Sequence, residues 1–457
     1  MIERMEMSGL FDFFAAKQVL NDRNKKLRVS NYTVPFEYKG KFLFNELTRQ
    51  FIELTDEEWK QIPFGKTFAY DEENETLKKL FEDYYFIPED EDETELYMSL
   101  RTILKTVNNP QDGISLYTIF PTSTCNAKCV YCFEENFVGY TMTKEVQEQV
   151  VRYILETKVK RGPITILWFG GEPLIGAKII DYICGELRKN GVEFSSVIVT
   201  NASLLTEEIA DKMKDSWNLR QAQITLDGTQ EEYDARKCYI DDSKSYFPQA
   251  IAAIHRVSER GIPVLIRLNL DRNNAANLRE LIDYLAVEFP KKDNLYVYPG
   301  LLHQLMKDQN AMNMWAEHAS LMEYARSKGF CSGMMRKSML DIEYCSYEAY
   351  EHSSVIDPRG KLTKCQHIED DSRFYSDIFH YNEIQDPEAW AEISRPSVLR
   401  DKCKGCSYLP TCTDFDRCPN DKVSCKVMKN SMEMCWLKYE VDRLRAGDTS
   451  KVSGVAF

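Results

Sequence analysis

Three cysteines, Cys125, Cys129 and Cys132, share one short segment with the spacing Cys-x3-Cys-x2-Cys, and Tyr131 precedes the last of them. Thiolates spaced this way in one loop can wrap a cubane iron–sulfur cluster while leaving one iron without a protein ligand. A structural zinc site usually closes with four ligands, and no fourth cysteine or histidine stands nearby. The rival readings are a zinc loop completed from afar and plain buried thiols. Of the 14 cysteines, nine more lie between Cys331 and Cys435, and only Cys184 and Cys238 stand alone, in segments that read as structural.

Other polar groups fall at regular intervals after the cysteine loop. In Gly170-Gly171-Glu172-Pro173 the glycines permit close backbone approach to a ligand, and the carboxylate suits an ammonium. Thr200-Asn201 ends one strand-like run, and Thr225-Leu226-Asp227-Gly228 ends the next, with Arg236 soon after. Taken alone, these are strand-end polar residues facing solvent. His367, two residues past Cys365, reads as a polar loop residue, and His303 and His318 as surface or helix positions. The methionines and aromatics of residues 311–325 read as core.

The elements that must position these groups follow from periodicity. Six short β-branched or aromatic runs (SLYTIF, ITILWFG, SSVIVTN, AQITLDG, VLIRLNL, NLYVYP) alternate with helical stretches from Ser115 to about Pro299. Val146, Val150 and Ile154 share one helical face, as do Leu278, Leu281 and Leu285. This pattern predicts an α/β domain with a parallel sheet and helical crossovers, whose active site lies at the C-terminal strand ends. The cysteine loop directly follows the first strand.

Upstream, YTVPFEYKGKFLFNELTRQFIELTDEEWKQI reads as two strands around Lys39-Gly40 and a third from about Arg49. A helix capped by Thr55 with Glu58 follows, so the module is winged-helix-like. The acidic run Glu89–Glu95 reads as a linker or solvated loop. Beyond residue 335 the alternation stops, and the cysteine-dense, loop-rich remainder needs metal staples.

A net charge of −14 argues against a nucleic-acid partner. No apolar run is long enough to span a membrane and the N-terminus lacks a signal-peptide pattern, which predicts a cytoplasmic protein. In that compartment clustered cysteines point to metal or catalysis before disulfides.

The cysteine spacing, the aromatic Tyr131 and the preceding strand resemble the signature of the radical S-adenosylmethionine (radical SAM) superfamily, and the resemblance covers the alternating region. It implies a partial (β/α)6 barrel over residues 114–330, with one [4Fe-4S] cluster on Cys125, Cys129 and Cys132. The open iron of that cluster would chelate S-adenosylmethionine. By resemblance Tyr131, Gly170, Gly171, Glu172, Pro173, Asn201, Thr225 and Arg236 bind that cofactor, Glu172 through the methionine amino group and Thr225 and Arg236 through its ribose or carboxylate.

Cys345, then Gly360-x4-Cys365, then Cys403-x2-Cys406-x5-Cys412 resemble the SPASM extension, which holds two auxiliary [4Fe-4S] clusters. The family pattern continues to a cysteine where this chain has Asp416. Setting aside Cys184, Cys238 and Cys331 leaves eleven cysteines, the number that three clusters with three, four and four thiolates require. The expected assignment is Cys403, Cys406, Cys412 and Cys435 to one auxiliary cluster and Cys345, Cys365, Cys418 and Cys425 to the other. Asp416 is an alternative ligand.

This extension would span residues 335–445, with a tail at 446–457 and a peptide-recognition module with linker at 1–105. The resemblance implies a radical enzyme that crosslinks a ribosomally made precursor peptide, from substrate cysteine to carbon as a thioether, via a 5′-deoxyadenosyl radical. Its partners would be the precursor with its leader and an electron donor such as flavodoxin or ferredoxin. Alternatives are carbon–carbon or carbon–nitrogen crosslinking, oxidation of a protein residue as in sulfatase maturation, and a non-catalytic iron–sulfur or zinc scaffold.

Overall fold

The computed structural model describes residues 26–71, 73–108, 112–132, 138–302, 305, 313–330, 351–368, 370–395, 398–412 and 425–447. The six expected strands form β7 (Leu116–Ile119), β8 (Ile164–Trp168), β9 (Phe194–Thr200), β10 (Leu219–Leu226), β11 (Val264–Leu270) and β12 (Leu295–Leu301). They are parallel and lie in sequential order, each beside the next. This is the parallel α/β arrangement with helical crossovers that the alternation predicts.

One face of this sheet is apolar. Ile166, Trp168, Ile198, Ile224, Ile266 and Val297 are buried there together with Val150, Ile154, Leu278 and Leu281 of the covering helices. By strand register the other face carries Thr225, Arg267 and Tyr298 in one row. Burying the first face holds the barrel together, and the second is left to do chemistry.

The sheet does not stop at the barrel. In the region expected to be a separate extension, β13 (Ser353–Ile356) pairs in parallel with β7, and β14 (Lys361–Thr363) and β15 (Ser376–Asp377) continue antiparallel to a nine-stranded sheet. The expected boundary near residue 335 is therefore not a break in the sheet. Nor is the remainder only loops, because helix Cys425–Arg445 runs for 21 residues.

The N-terminal module contains the expected β2 (Thr33–Glu37), β3 (Lys41–Asn45) and β4 (Gln50–Leu54), preceded by β1 (Lys26–Val29). The Tyr38 N–H donates to the Gly40 carbonyl at 3.0 Å across the β2–β3 turn, and Lys39 takes φ 53 there. Helix Asp56–Gln61 begins with the full Thr55/Glu58 capping box. β5 (Phe68–Ala69) and β6 (Phe86–Pro88) flank β1 in a second small sheet.

The acidic run Glu89–Glu95 is only in part the solvated loop that its composition suggests. Glu93 begins helix Glu93–Asn108, and its side chain is 1% exposed. It accepts from Arg28 Nη1 at 3.0 Å, from the Asn31 N–H at 2.7 Å and from the Ser30 hydroxyl. Burial raises its pKa against those bonds. Because a buried charge robbed of its partner is costly, Glu93→Ala should destabilise the module by about 3 kcal/mol. A fall in its denaturant midpoint, with Glu95→Ala as a silent exposed control, checks this.

The module is packed against the C-terminal cysteine region. Tyr32, Leu47, Tyr97 and Leu409 form one buried cluster on which Cys403 and Cys406 rest. Phe36, Phe42 and Phe44 meet Leu437 and Val441 of the last helix. Arg49 is buried between Glu46 (2.6 Å) and Glu433 (2.5 Å) and lies over the Phe44 and Trp436 rings at 4.7 and 5.2 Å. Among the described residues, no helix is long and apolar enough to cross a membrane.

Candidate cluster and cofactor site

The cysteine loop leaves the C-terminal end of β7 and is stapled by backbone bonds on both sides. Lys128 N–H donates to the Cys238 carbonyl, Val130 N–H to that of Arg236 and Ile240 N–H to that of Asn126, at 2.9, 3.0 and 2.9 Å. Ahead of the cysteines, the Thr122 hydroxyl donates to the Tyr140 carbonyl at 2.8 Å. The loop's shape is therefore set by main chain and does not depend on the thiols.

Gly170 and Gly171 lie directly beneath it. An added Cβ on Gly171 would come within 2.5 Å of the Thr124 carbonyl oxygen, and one on Gly170 would strike that of Thr122, at a φ of +112. The close approach that needs these glycines is to the backbone leading into Cys125. This adds a structural reason for a motif that the sequence explains by ligand approach.

Glu172 is fully buried. It accepts from the Leu174 N–H at 3.0 Å, the Thr200 hydroxyl at 2.6 Å and the Asn201 N–H at 2.8 Å, so three acceptor positions are committed inside the protein. Burial raises its pKa despite these donors. Pro173 opens the short 3-10 helix Pro173–Gly176 that Glu172 caps. Glu172 thus fixes the end of β9, and Asn201 reaches from there to Asn126 Oδ1 at 3.0 Å and toward Cys125 Sγ at 3.9 Å.

On the opposite side Tyr131 enters a buried polar network. Its hydroxyl lies 2.7 and 2.8 Å from the two carboxylate oxygens of Asp227, and it accepts from Lys237 Nζ at 3.1 Å and Asn269 Nδ2 at 3.0 Å. Lys237 is 3% exposed and pairs with the fully buried Asp227 at 3.2 Å. It also donates to the Thr225 hydroxyl at 2.8 Å. Burial opposes its ammonium, but Asp227, Tyr131, Cys129 and Tyr233 together outweigh that and hold the pKa well above the usual lysine value.

Arg236 lies over the Tyr131 ring at 5.6 Å and is ion-paired to Asp271, with Glu232 at 3.3 Å. Both Thr225 and Arg236 are therefore engaged by protein partners. Lys237, Asp227 and Asn269 were not singled out by sequence reasoning. Asp227 was visible inside Thr-Leu-Asp-Gly, whereas Lys237 in EEYDARK looks like a solvated helix residue.

Cys125, Cys129 and Cys132, all part-buried in one loop past β7, are a donor set whose chemistry fits a three-thiolate cluster. Burial pushes Cys125 up to about 12 and also raises Cys129, where Lys237 offsets part of the rise. Protons must leave these thiols when metal binds. No three His, Cys, Asp or Glu side chains among the described residues converge as they would on a single ion. A cubane spreads its thiolates more widely than one ion does.

The C-terminal cysteines are held differently. Cys403, Cys406 and Cys412 lie on one chain of turns, where the Cys406 N–H donates to Cys403 and the Cys412 N–H to Leu409. Cys365 is buried just past β14, in the barrel core. Cys435 is buried in helix Cys425–Arg445, where Arg326 Nη1 donates to its carbonyl at 2.9 Å. Cys345, Cys418 and Asp416 lie outside the described residues, as does the side chain of Cys425. Cys184 is core, while Cys238 is an exposed left-handed helix cap, with φ 47.

Residues 119–285 match the Radical SAM superfamily. The chain is 24% identical over 328 residues to Fe-coproporphyrin III synthase of Methanosarcina barkeri, across 64% of this chain and 80% of that protein. It is 23% identical over 357 residues to a cysteine-type anaerobic sulfatase-maturating enzyme of Clostridium novyi, across 68% of this chain and 92% of that one. Among solved structures, anSMEcpe with bound AdoMet and Cp18Cys peptide superposes with a TM-score of 0.51 at 15% identity, covering 74% of this chain and 99% of that one. That likeness is one of fold. The match to the Radical SAM superfamily covers residues 119–285, which hold the cysteine loop, Glu172 and the Tyr131–Asp227–Lys237 network.

Proposed function

We propose that the chain is a cytoplasmic radical SAM maturase that crosslinks a ribosomally made precursor peptide through a cysteine thioether. Cys125, Cys129 and Cys132 would hold the cluster that binds S-adenosylmethionine. Tyr131, Gly170, Gly171, Glu172, Pro173, Asn201, Thr225 and Arg236 would form the cofactor's walls. When bound, cluster and cofactor supply the carbon-centred radical that takes a hydrogen atom from the substrate. This chain's residues orient and exclude water: Glu172 fixes the β9 end, and the Tyr131–Asp227–Lys237 network fixes the loop from the other side. Cys345, Cys365, Cys403, Cys406, Cys412, Cys418, Cys425 and Cys435 would hold two auxiliary clusters, fed by a small electron carrier such as flavodoxin or ferredoxin.

The observation that carries the peptide half of this reading is the N-terminal module. β4 is an edge strand of β2-β3-β4, free among the described residues to add an extended leader segment, and the module rests on the Cys403–Leu409 turns. A leader bound there would sit on the cysteine region itself. The thioether half rests on Asp416, which stands where the SPASM pattern has a cysteine: with this weak oxygen ligand in place of Cys425 at the second auxiliary cluster, one iron could be taken over by a substrate thiolate.

Incubating the reconstituted enzyme with a cysteine-containing precursor from a neighbouring reading frame tests both halves. The expected product has lost two hydrogens per crosslink, its thiols resist alkylation, and its halves stay joined after cleavage between them. Mass loss with every thiol free would point to a carbon–carbon or carbon–nitrogen bond. A second reading, modification of one residue without a crosslink, is favoured by the near full-length coverage of the sulfatase-maturating relative. It predicts halves that separate.

A further inference from the structure

We propose that Arg267, on the ligand face of β11, seats an acidic side chain of the peptide substrate; this rests on the peptide-maturase reading above. Arg267 Nε donates to Asn269 Oδ1 at 3.0 Å and Nη2 to the Leu301 carbonyl at 3.4 Å, and the guanidinium also bonds the Tyr298 hydroxyl. Tyr298 in turn donates to Gln223 Oε1 at 2.8 Å. Of the five N–H groups on a guanidinium, two have no partner among the described residues.

No carboxylate among the described residues pairs with Arg267. Four other enclosed arginines do have one: Arg28 pairs with Glu93, Arg49 with Glu46, Arg236 with Asp271 and Arg359 with Asp357. His318, close by, is buried with Nδ1 unpartnered, and burial lowers it to about 4, so it adds no charge of either sign at neutral pH. A partly buried guanidinium without a counter-charge is expensive, and a bidentate carboxylate ligand removes that cost.

The site is built for this pose. A Cβ on Gly300 would lie 2.5 Å from the guanidinium carbon, so glycine on β12 is what lets Arg267 lie across the strand. Asn269 then links Arg267 to the Tyr131 hydroxyl, and through it to the cysteine loop.

Position favours substrate over cofactor. Glu172 follows β8, and Arg267 stands three strands away on β11, roughly 14 Å at about 4.8 Å per strand. An amino acid whose amino group sits by Glu172 cannot also place its carboxylate at Arg267. Among the described residues only β12 lies beyond β11 in the sheet, and an extended chain could reach this face from that edge.

The test uses the full-length reconstituted enzyme and its Arg267→Gln and Arg267→Lys variants. Calorimetric binding of S-adenosylmethionine and of decarboxylated S-adenosylmethionine reports on the cofactor. KM and kcat report on a precursor peptide and on a version whose core Asp and Glu are changed to Asn and Gln. In Arg267→Gln, cofactor binding and peptide-independent cofactor cleavage should stay within about two-fold of wild type. KM for the acidic precursor should rise about 30-fold, with partial recovery in Arg267→Lys. The neutral precursor should be handled alike by wild type and Arg267→Gln.

Equal handling of the acidic precursor by both enzymes overturns the proposal. So does a loss of affinity for S-adenosylmethionine but not for its decarboxylated form, which gives the seat to the cofactor. Wild-type enzyme that cleaves no cofactor at all defeats the maturase reading, and this subsite with it.

Discussion

Replacing Cys125, Cys129 and Cys132 together with alanine should abolish 5′-deoxyadenosine formation, while the protein should stay folded and keep about eight of the about twelve iron atoms that the proposed three clusters would hold. Two features of the chain lead to that result. The loop is held by backbone bonds from Lys128, Val130 and Ile240 to segments around it, so side-chain truncation leaves its path in place. The C-terminal cysteines rest on a different foundation, the Tyr32–Tyr97–Leu409 cluster and helix Cys425–Arg445. Iron and sulfide quantification beside a chromatographic assay for the nucleoside reads both quantities. Full iron loss would mean the three cysteine groups form one cooperative unit, and retained cleavage would move the radical-generating cluster to another loop.

Lys237→Met should be the most damaging single substitution of a residue that lies near the site but outside the cysteines. It leaves Asp227 fully buried with only Tyr131 and Asn269 to serve its charge. Breaking a buried pair from one side costs about 3–5 kcal/mol, most of it the uncompensated partner. Because Tyr131 lies between Cys129 and Cys132, the proposed cluster ligands, the loss should appear as lowered cluster loading as well as a lowered unfolding temperature. Lys237→Met combined with Asp227→Asn should recover part of both, since the stranded charge is gone. A single variant as stable as wild type would show that the buried Lys237–Asp227 pair is not what ties this network together.

Removing the N-terminal module is a poor test of peptide recognition for a structural reason. Tyr97 and Thr94 contact the Cys403–Pro410 turns directly, through the Tyr97 hydroxyl on the Pro410 carbonyl and the Gly405 N–H on the Thr94 hydroxyl. Truncation would strip the covering from those cysteines, so loss of modification would not isolate leader binding.

The barrel was legible because its strands are short continuous β-branched runs and its helices carry apolar faces at three- and four-residue spacing. Thr55 and Glu58 gave the first helix start of the module directly. What stayed hidden was charge placed inside. Glu93 in an acidic run and Lys237 in EEYDARK carry no local mark of burial, because their partners Arg28 and Asp227 are distant in sequence or unremarkable beside them. Helix Cys425–Arg445 was hidden by an apolar pattern too broken for one stripe, since its buried residues meet two different partners, the module through Leu437 and helix Asn313–Ser327 through Cys435, whose carbonyl accepts from Arg326. The parallel pairing of β13 with β7 joins strands far apart in sequence, which periodicity cannot show.

The measurement closest to the central claim is the fate of S-adenosylmethionine with the anaerobically reconstituted, chemically reduced wild-type protein. The account predicts 5′-deoxyadenosine and methionine in equal amounts, dependent on the reductant and on iron. Protein fully loaded with iron and sulfide that binds the cofactor yet yields neither product would contradict it.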